Sequence, residues 1–126
     1  MDIKNEQSQL KKLQARRQEL LASLVLPPEG LPGSLAKIYR HCGGKTCHCY
    51  TGEGHPCWTL TYMAEGKKRV DYVSHDMVEE VRQRVEVGNA YKLGVAELMG
   101  INAQIVWLER RERKRREAEE KRRASR

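Results

Sequence analysis

Between Pro56 and the last residue, Arg126, there is no proline, and over most of that stretch the apolar residues keep a helical period. Val78, Val81, Val85, Tyr91, Val95, Leu98, Ile101, Ile105 and Leu108 recur mostly at three- and four-residue steps. The pattern predicts one long helix, capped by Ser74 or Asp76, with Glu79 placed to complete a capping box, and reaching about Arg122. Gly88, Gly94 and Gly100 each weaken it by ~1 kcal/mol relative to alanine, and Gly88-Asn89 is the expected break. A stripe of that length outruns any β region so short a chain can build, so a second helix must cover it. Residues 3–25 supply one, with Ile3, Leu10, Leu13, Leu20 and Leu24 at steps of seven, three, seven and four and Arg17 interrupting the seam. Leu13 and Leu20 are expected to face Val95, Leu98, Ile101 or Ile105, antiparallel within the chain or exchanged in a dimer.

LPPEGLPGS, from Leu26 to Ser34, stops the first helix, because three prolines within six residues cannot continue the amide ladder, and it reads as a stiff linker. Ser34 to Arg40 has extended character. WTLTYM, from Trp58, and RVDYV, from Arg69, alternate apolar and polar residues with the period of a strand. AEGKK between them makes the turn of a hairpin, with Gly66 free to take the positive φ it needs. Two strands alone are marginal in water, so the hairpin must lean on a third strand, a metal site or a helix. The expected fold is α+β: a zinc-stabilised hairpin or three-stranded sheet between an N-terminal helix and a long C-terminal helix that pack as a coiled-coil-like pair. Its parts are residues 1–25, the linker 26–33, the zinc-loop β module 34–75 and the long helix with a basic tail, 76–126.

HCGGKTCHCYTGEGHPCW, from His41 to Trp58, holds all four cysteines and three of the four histidines. No run approaches the ~18 apolar residues of a membrane span, and MDIKNEQSQLKK lacks the apolar stretch of a signal peptide. A cytoplasmic chain without a membrane partner is expected, and a reducing compartment favours metal over disulfides. Zinc takes four soft or borderline donors at tetrahedral angles, and Cys42, Cys47, Cys49 and Cys57, with His55 beside them, are spaced by glycine-containing turns that let the loop close on an ion. Binding a dication would relieve thiolate repulsion and add folding free energy to a chain with 39% apolar residues and no phenylalanine. Against this stand four ordinary small buried residues, a redox role, for which a Cys-x-x-Cys pair is missing, and a catalytic zinc with Glu53 as base. A closed structural site is the better reading.

The net charge of +7 is concentrated at the end of the chain: residues 109–126 carry ten Lys and Arg against five Glu. A polyanion, nucleic acid first, is the partner class this implies. Glu109, Glu112, Glu117 and Glu119 each precede a basic residue by four positions, Arg113, Arg116, Lys121 and Arg123, and such pairs support a solvated helix. Arg110, Arg111, Lys114, Arg115 and Arg122 lack such partners and form the candidate nucleic-acid surface of the tail. Lys67, Lys68 and Arg69 at the hairpin, with Arg40 and Lys45 flanking the cysteine loop, form a second one.

GSLAKIYRHCGGKTCHC, GEGHPCWTLTY and KKRVDYVSHDMVEEVR together resemble a widespread bacterial family of unknown function. Its members show a Gly-Ser-Leu start, a Cys-Gly-Lys-x-x-Cys-x-Cys loop, a Gly-x-x-His segment, an aromatic strand and a basic strand entering a helix. The resemblance covers about residues 33–85, with helical flanks, and matches Cys42, Cys47, Cys49 and His55; Cys57 departs from the pattern. Spacing alone therefore chooses Cys57 as the fourth donor, and the resemblance chooses His55. The family's mobile-element and transposase settings imply DNA work without fixing an activity. The strand pair followed by a helix is also similar to the arm-binding domains of tyrosine recombinases, at the level of fold. The expected function is a zinc-stabilised, nucleic-acid-binding accessory of a bacterial mobile element, DNA ahead of RNA. It is not expected to be an enzyme, because Asp2, Asp71 and Asp76 are too scattered to hold catalytic metal ions. The alternatives are a helical assembly or adaptor protein, pairing with itself or another protein, and an RNA-binding component of a ribonucleoprotein effector in which Tyr50, Trp58, Tyr62 and Tyr72 stack on bases.

Overall fold

The computed structural model describes residues 3–41, 43, 44, 46, 52 and 54–125. In chain order they form α1 (Ile3–Ser23), β1 (Ser34–Arg40), β2 (His55–Ala64), β3 (Lys67–Val73), a 3-10 turn (His75–Met77) and α2 (Val78–Ala124). The fold is α+β, with one antiparallel sheet in the order β1-β2-β3. No described helix is long and apolar enough to cross a membrane.

The chain divides into two compact units, one of Met1–Val25 with Lys92–Arg126 and one of Leu26–Tyr91. In the first, α1 runs antiparallel to the C-terminal part of α2. Glu6 meets Arg111 and Arg115, Arg17 meets Asn102, and Leu24 meets Gly94, so one number rises as the other falls. Leu20, Ile101 and Ile105 are buried together, with Leu10, Leu13, Leu24 and Leu98 packed around them, which is the seam the spacing predicts. Each fully buried aliphatic side chain contributes roughly 1.5–3 kcal/mol. Arg17, the interruption in that seam, donates to Asn102 Oδ1 at 3.3 Å across the pair. The expected helix to residue 25 stops at Ser23; Leu26 precedes Pro27, whose ring disfavours helical backbone before it.

In the second unit, Leu60 of the central strand is buried with Val81 and Val85 of α2, and Leu31, Leu35, Tyr62 and Val73 complete the cluster. The hairpin turn is Glu65-Gly66, with φ of 53° and 76°, the two positive values of a type I′ turn. β2 starts three residues before the predicted strand and takes in Pro56, which lies beyond the Trp58↔Val73 pair where β3 ends. Its missing N–H therefore removes no bond between β2 and β3.

Two expectations about α2 need correction. Ser74 caps the 3-10 turn, not α2, and makes no side-chain capping bond, while Glu79 pairs with Arg82 at 2.5 Å instead of closing a capping box. Nor does α2 break at Gly88-Asn89. Gly88 is where the proline-rich segment docks: a Cβ there would stand 2.3 Å from the Leu31 carbonyl oxygen. The Leu31 N–H donates to Arg84 O and Asn89 Nδ2 to Gly33 O, both at 3.0 Å, so residues 26–33 are packed on α2 and not a free linker.

Candidate functional site

The cysteine stretch is the connection between β1 and β2, and the register pair Arg40↔His55 closes its base. Gly54, at φ 93°, sits where a Cβ would collide with the Arg40 backbone at 2.8 Å, so this neck admits only glycine. Cys42, Lys45, Cys47, Cys49, Tyr50 and Glu53 lie outside the described residues. The two candidates for the fourth donor are described: His55 and Cys57 stand two residues apart on β2, hence on one face of the sheet, and Cys57 is a half-buried free thiol opposite Ile38. Donors at i and i+2 of a strand, Cα atoms roughly 6.5 Å apart, can both reach one ion. Among the described residues no group of three or more His, Cys, Asp or Glu is placed to hold a metal.

The face of the sheet turned away from Val81 and Val85 starts from the same two residues. Strand alternation and register put Arg40 and Ile38 of β1, Thr59 and Met63 of β2, and Lys68, Val70 and Tyr72 of β3 on it. Arg40 reaches across β2 to Tyr72. Its guanidinium lies 5.1 Å from the ring centroid and donates to the hydroxyl at 2.6 Å. Thr59, between Ala36 and Tyr72 in register, is buried, whereas Met63, Val70 and Tyr72 are more than half exposed. This is an open sheet face bearing methyl groups, one aromatic ring and cations. Lys67, Lys68 and Arg69 follow directly on the turn, all exposed and none in an ion pair among the described residues. The opposite face is occupied. Trp58 carries the Arg82 guanidinium 5.4 Å from its centroid, and the Tyr62 hydroxyl donates to Asp71 at 2.6 Å, a bond that raises its pKa above the ordinary 10.0.

The tail separates into engaged and free cations. Arg111 and Arg115 are not unpartnered, as the spacing suggested, but converge on Glu6 of α1, Arg111 at 3.5 Å. Glu6 is only 8% exposed, and a buried carboxylate must be paired, so these two arginines fasten the start of α1 to α2. Arg110 lies over the Trp107 ring at 5.9 Å. Of the four expected helical pairs, Glu112–Arg116 and Glu119–Arg123 close, at 2.8 and 3.1 Å, while Glu109–Arg113 and Glu117–Lys121 do not. Lys114 and Arg122 are exposed and in no ion pair among the described residues. The role of Glu6 was missed, although it stands at a stripe position of α1, four residues before Leu10. Arg16, which donates to both Glu97 oxygens at 2.7 and 2.9 Å and lowers that carboxyl's pKa, left no sequence signal.

No curated protein and no solved structure matches the chain. Residues 6–83 match the model of a family described as a domain of unknown function, a span that takes in α1 from Glu6, the docked proline segment, the cysteine loop, the whole sheet and the start of α2, but leaves out the basic tail. Because more than half of its length is matched, the chain belongs to the DUF6788 family.

Proposed function

We propose that the chain is a nucleic-acid-binding accessory protein, with duplex DNA the favoured ligand, held to shape by zinc on the β1–β2 connection and serving a bacterial mobile element. The observation that carries this reading is the sheet: an open face with Arg40 stacked on Tyr72 and with Lys68 on the same strand as that ring, while Lys67 and Arg69 project from the other face at the hairpin end, and none of Lys67, Lys68 and Arg69 is in an ion pair among the described residues. Cations fixed on a strand are positioned for phosphates at low entropic cost, and the methyl groups and ring beside them suit contact with bases or sugars. The surface lies inside the family-matched span, whereas the tail lies beyond it and has two of its arginines engaged with Glu6. The tail therefore ranks second, through Arg110, Lys114 and Arg122.

Zinc, when bound, supplies cross-linking and charge neutralisation, not catalysis, in this reading. Cys42, Cys47 and Cys49 would hold it with His55, Cys57 or both, and the shared face of the last two fits such a site. No catalytic role is assigned to the acidic residues; Asp71 is engaged by Tyr62.

The test is fluorescence anisotropy with labelled duplex DNA, single-stranded DNA and structured RNA across a salt series. The parent should bind duplex DNA with a steep salt dependence, and Lys67→Gln with Lys68→Gln and Arg69→Gln should lower the slope of log K against log salt by up to about 2.7, roughly 0.9 for each B-DNA phosphate that is no longer neutralised. An unchanged slope refutes the sheet as the binding surface; tighter binding of RNA than duplex DNA favours the ribonucleoprotein alternative.

A further inference from the structure

The open sheet face holds its cations in two different ways. Lys68 stands opposite Met63 beside the hairpin turn, exposed and in no ion pair among the described residues, a point charge on a flexible stem. Arg40 stands opposite His55 and reaches diagonally, over the level of Cys57 on the central strand, to Tyr72, which stands opposite Thr59. Its Nη1 donates to the Tyr72 hydroxyl at 2.6 Å and its Cζ lies 5.1 Å from the ring centroid. Its backbone is fixed as well, because Gly54 packs so closely on it that a Cβ there would stand 2.8 Å from the Arg40 carbonyl oxygen. Arg40 is thus anchored at both ends, yet its guanidinium is exposed.

We infer that Arg40 reads guanine in the major groove of duplex DNA, with Tyr72 as the residue that positions it; the inference rests on the nucleic-acid reading above. A guanidinium has five N–H donors and no acceptor. Tyr72 takes one of them through Nη1, which leaves the Nε–H and Nη2–H, two parallel donors along one edge. In the major groove guanine alone presents two acceptors side by side, O6 and N7. Adenine sets a donor beside its acceptor, cytosine offers a donor and thymine a single acceptor, so none of the three satisfies that edge.

A phosphate accepts the same pair of donors, so placement decides between the two. Phosphate contacts are made at the border of a surface and are served by a flexible lysine such as Lys68. Arg40 instead lies across the middle strand, its direction set by an uncharged phenol, with Ile38 beside it on β1 and Val70 beside Tyr72 on β3. Phosphate oxygens are met from many directions and a base edge from one, in its own plane, so fixing the guanidinium in advance gains most at a base. The methyl groups of Ile38 and Val70 keep water from the donors, which strengthens the hydrogen bonds made there.

The experiment is fluorescence anisotropy on the full chain at moderate salt, with two labelled duplexes of one G·C-rich sequence, the first with guanine and the second with 7-deazaguanine, which lacks N7 but keeps the charge and the base pairing. The parent should bind the guanine duplex about tenfold more tightly, the order of one good base contact. Arg40→Lys keeps the charge and loses the paired donors, so it should bind both duplexes equally, with the parent's slope of log K against log salt. Tyr72→Phe keeps the ring and loses the acceptor, so it should retain only part of the preference, again at the parent's slope. Equal binding of the two duplexes by the parent, or a preference that survives Arg40→Lys, overturns base reading by Arg40 while leaving the sheet a binding surface, and a full preference in Tyr72→Phe overturns the positioning role. No binding of either duplex overturns the nucleic-acid reading and this inference together.

Discussion

Three glycines interrupt α2, and alanine at each should have a different effect. Each substitution relieves the backbone-entropy penalty of glycine in a helix, a gain of about 1 kcal/mol. At Gly100 nothing lies within 4 Å of the added methyl, so the gain should stand unopposed. At Gly94 the methyl meets Leu24 Cδ2 at 2.5 Å, the far end of a flexible side chain, and rotation of that leucine should cancel most of the gain. At Gly88 it meets the Leu31 carbonyl oxygen at 2.3 Å, so the backbone itself must retreat by about 1 Å to reach ordinary van der Waals separation. That retreat breaks or stretches two 3.0 Å hydrogen bonds, Leu31 N–H to Arg84 O and Asn89 Nδ2 to Gly33 O, at about 1 kcal/mol each, and loosens Leu31 from its cluster. The expected net effects are about +1 kcal/mol for Gly100→Ala, near zero for Gly94→Ala and a loss of about 1–3 kcal/mol for Gly88→Ala. Urea unfolding checks them, followed by helical circular dichroism and by fluorescence in single-tryptophan variants, because Trp58 reports the sheet unit and Trp107 the helical unit. Gly88→Ala should lower only the Trp58 transition. Equal stabilisation by Gly88→Ala and Gly100→Ala would refute the docking of residues 26–33 on α2.

Elemental analysis of protein purified without added metal should find one zinc per chain, and His55→Ala or Cys57→Ala should weaken its retention against a chelator; absence of zinc with unchanged folding in chelator would remove the metal from the account. Arg115→Met should destabilise the helical unit by about 2 kcal/mol in the same urea assay, because it leaves the buried Glu6 carboxylate with Arg111 alone. Ultraviolet titration should show Tyr62 ionising above the usual tyrosine range, and Asp71→Ala should bring it back. Since the folded pKa is the higher one, the associated stability is present below pH 10 and is lost as the pH rises above it.

What could be read from residues alone follows the range of the interaction responsible. The hairpin was legible because its signals are local: alternation in WTLTYM and RVDYV, and a glycine at the turn that needs positive φ. The antiparallel helix pair was legible because two complementary stripes in one short chain have few other places to go, and Leu13, Leu20, Leu98, Ile101 and Ile105 do share one core. Gly88 misled for the same physical reason. In isolation a helical glycine is only a weak point, and its use as a docking site depends on Leu31, far away in the chain. The partners of the tail arginines were missed likewise: counting charges at four-residue steps finds pairs along one helix, while Glu6 lies on another. For the cysteine loop, donor types and spacing suggest a metal, but the choice between His55 and Cys57 depends on side-chain directions that spacing does not encode, and Cys42, Cys47 and Cys49 lie outside the described residues.

Binding of nucleic acid by the open sheet face can be followed by titrating short duplex DNA into isotope-labelled protein at moderate salt and recording backbone amide shifts. The largest changes are expected at Arg40, from Lys67 to Tyr72 and at Thr59, with smaller ones near Lys114 and Arg122 and none at Leu21 and Met99 of the helical unit. Shifts confined to the tail, or no shifts at saturating duplex, would contradict it.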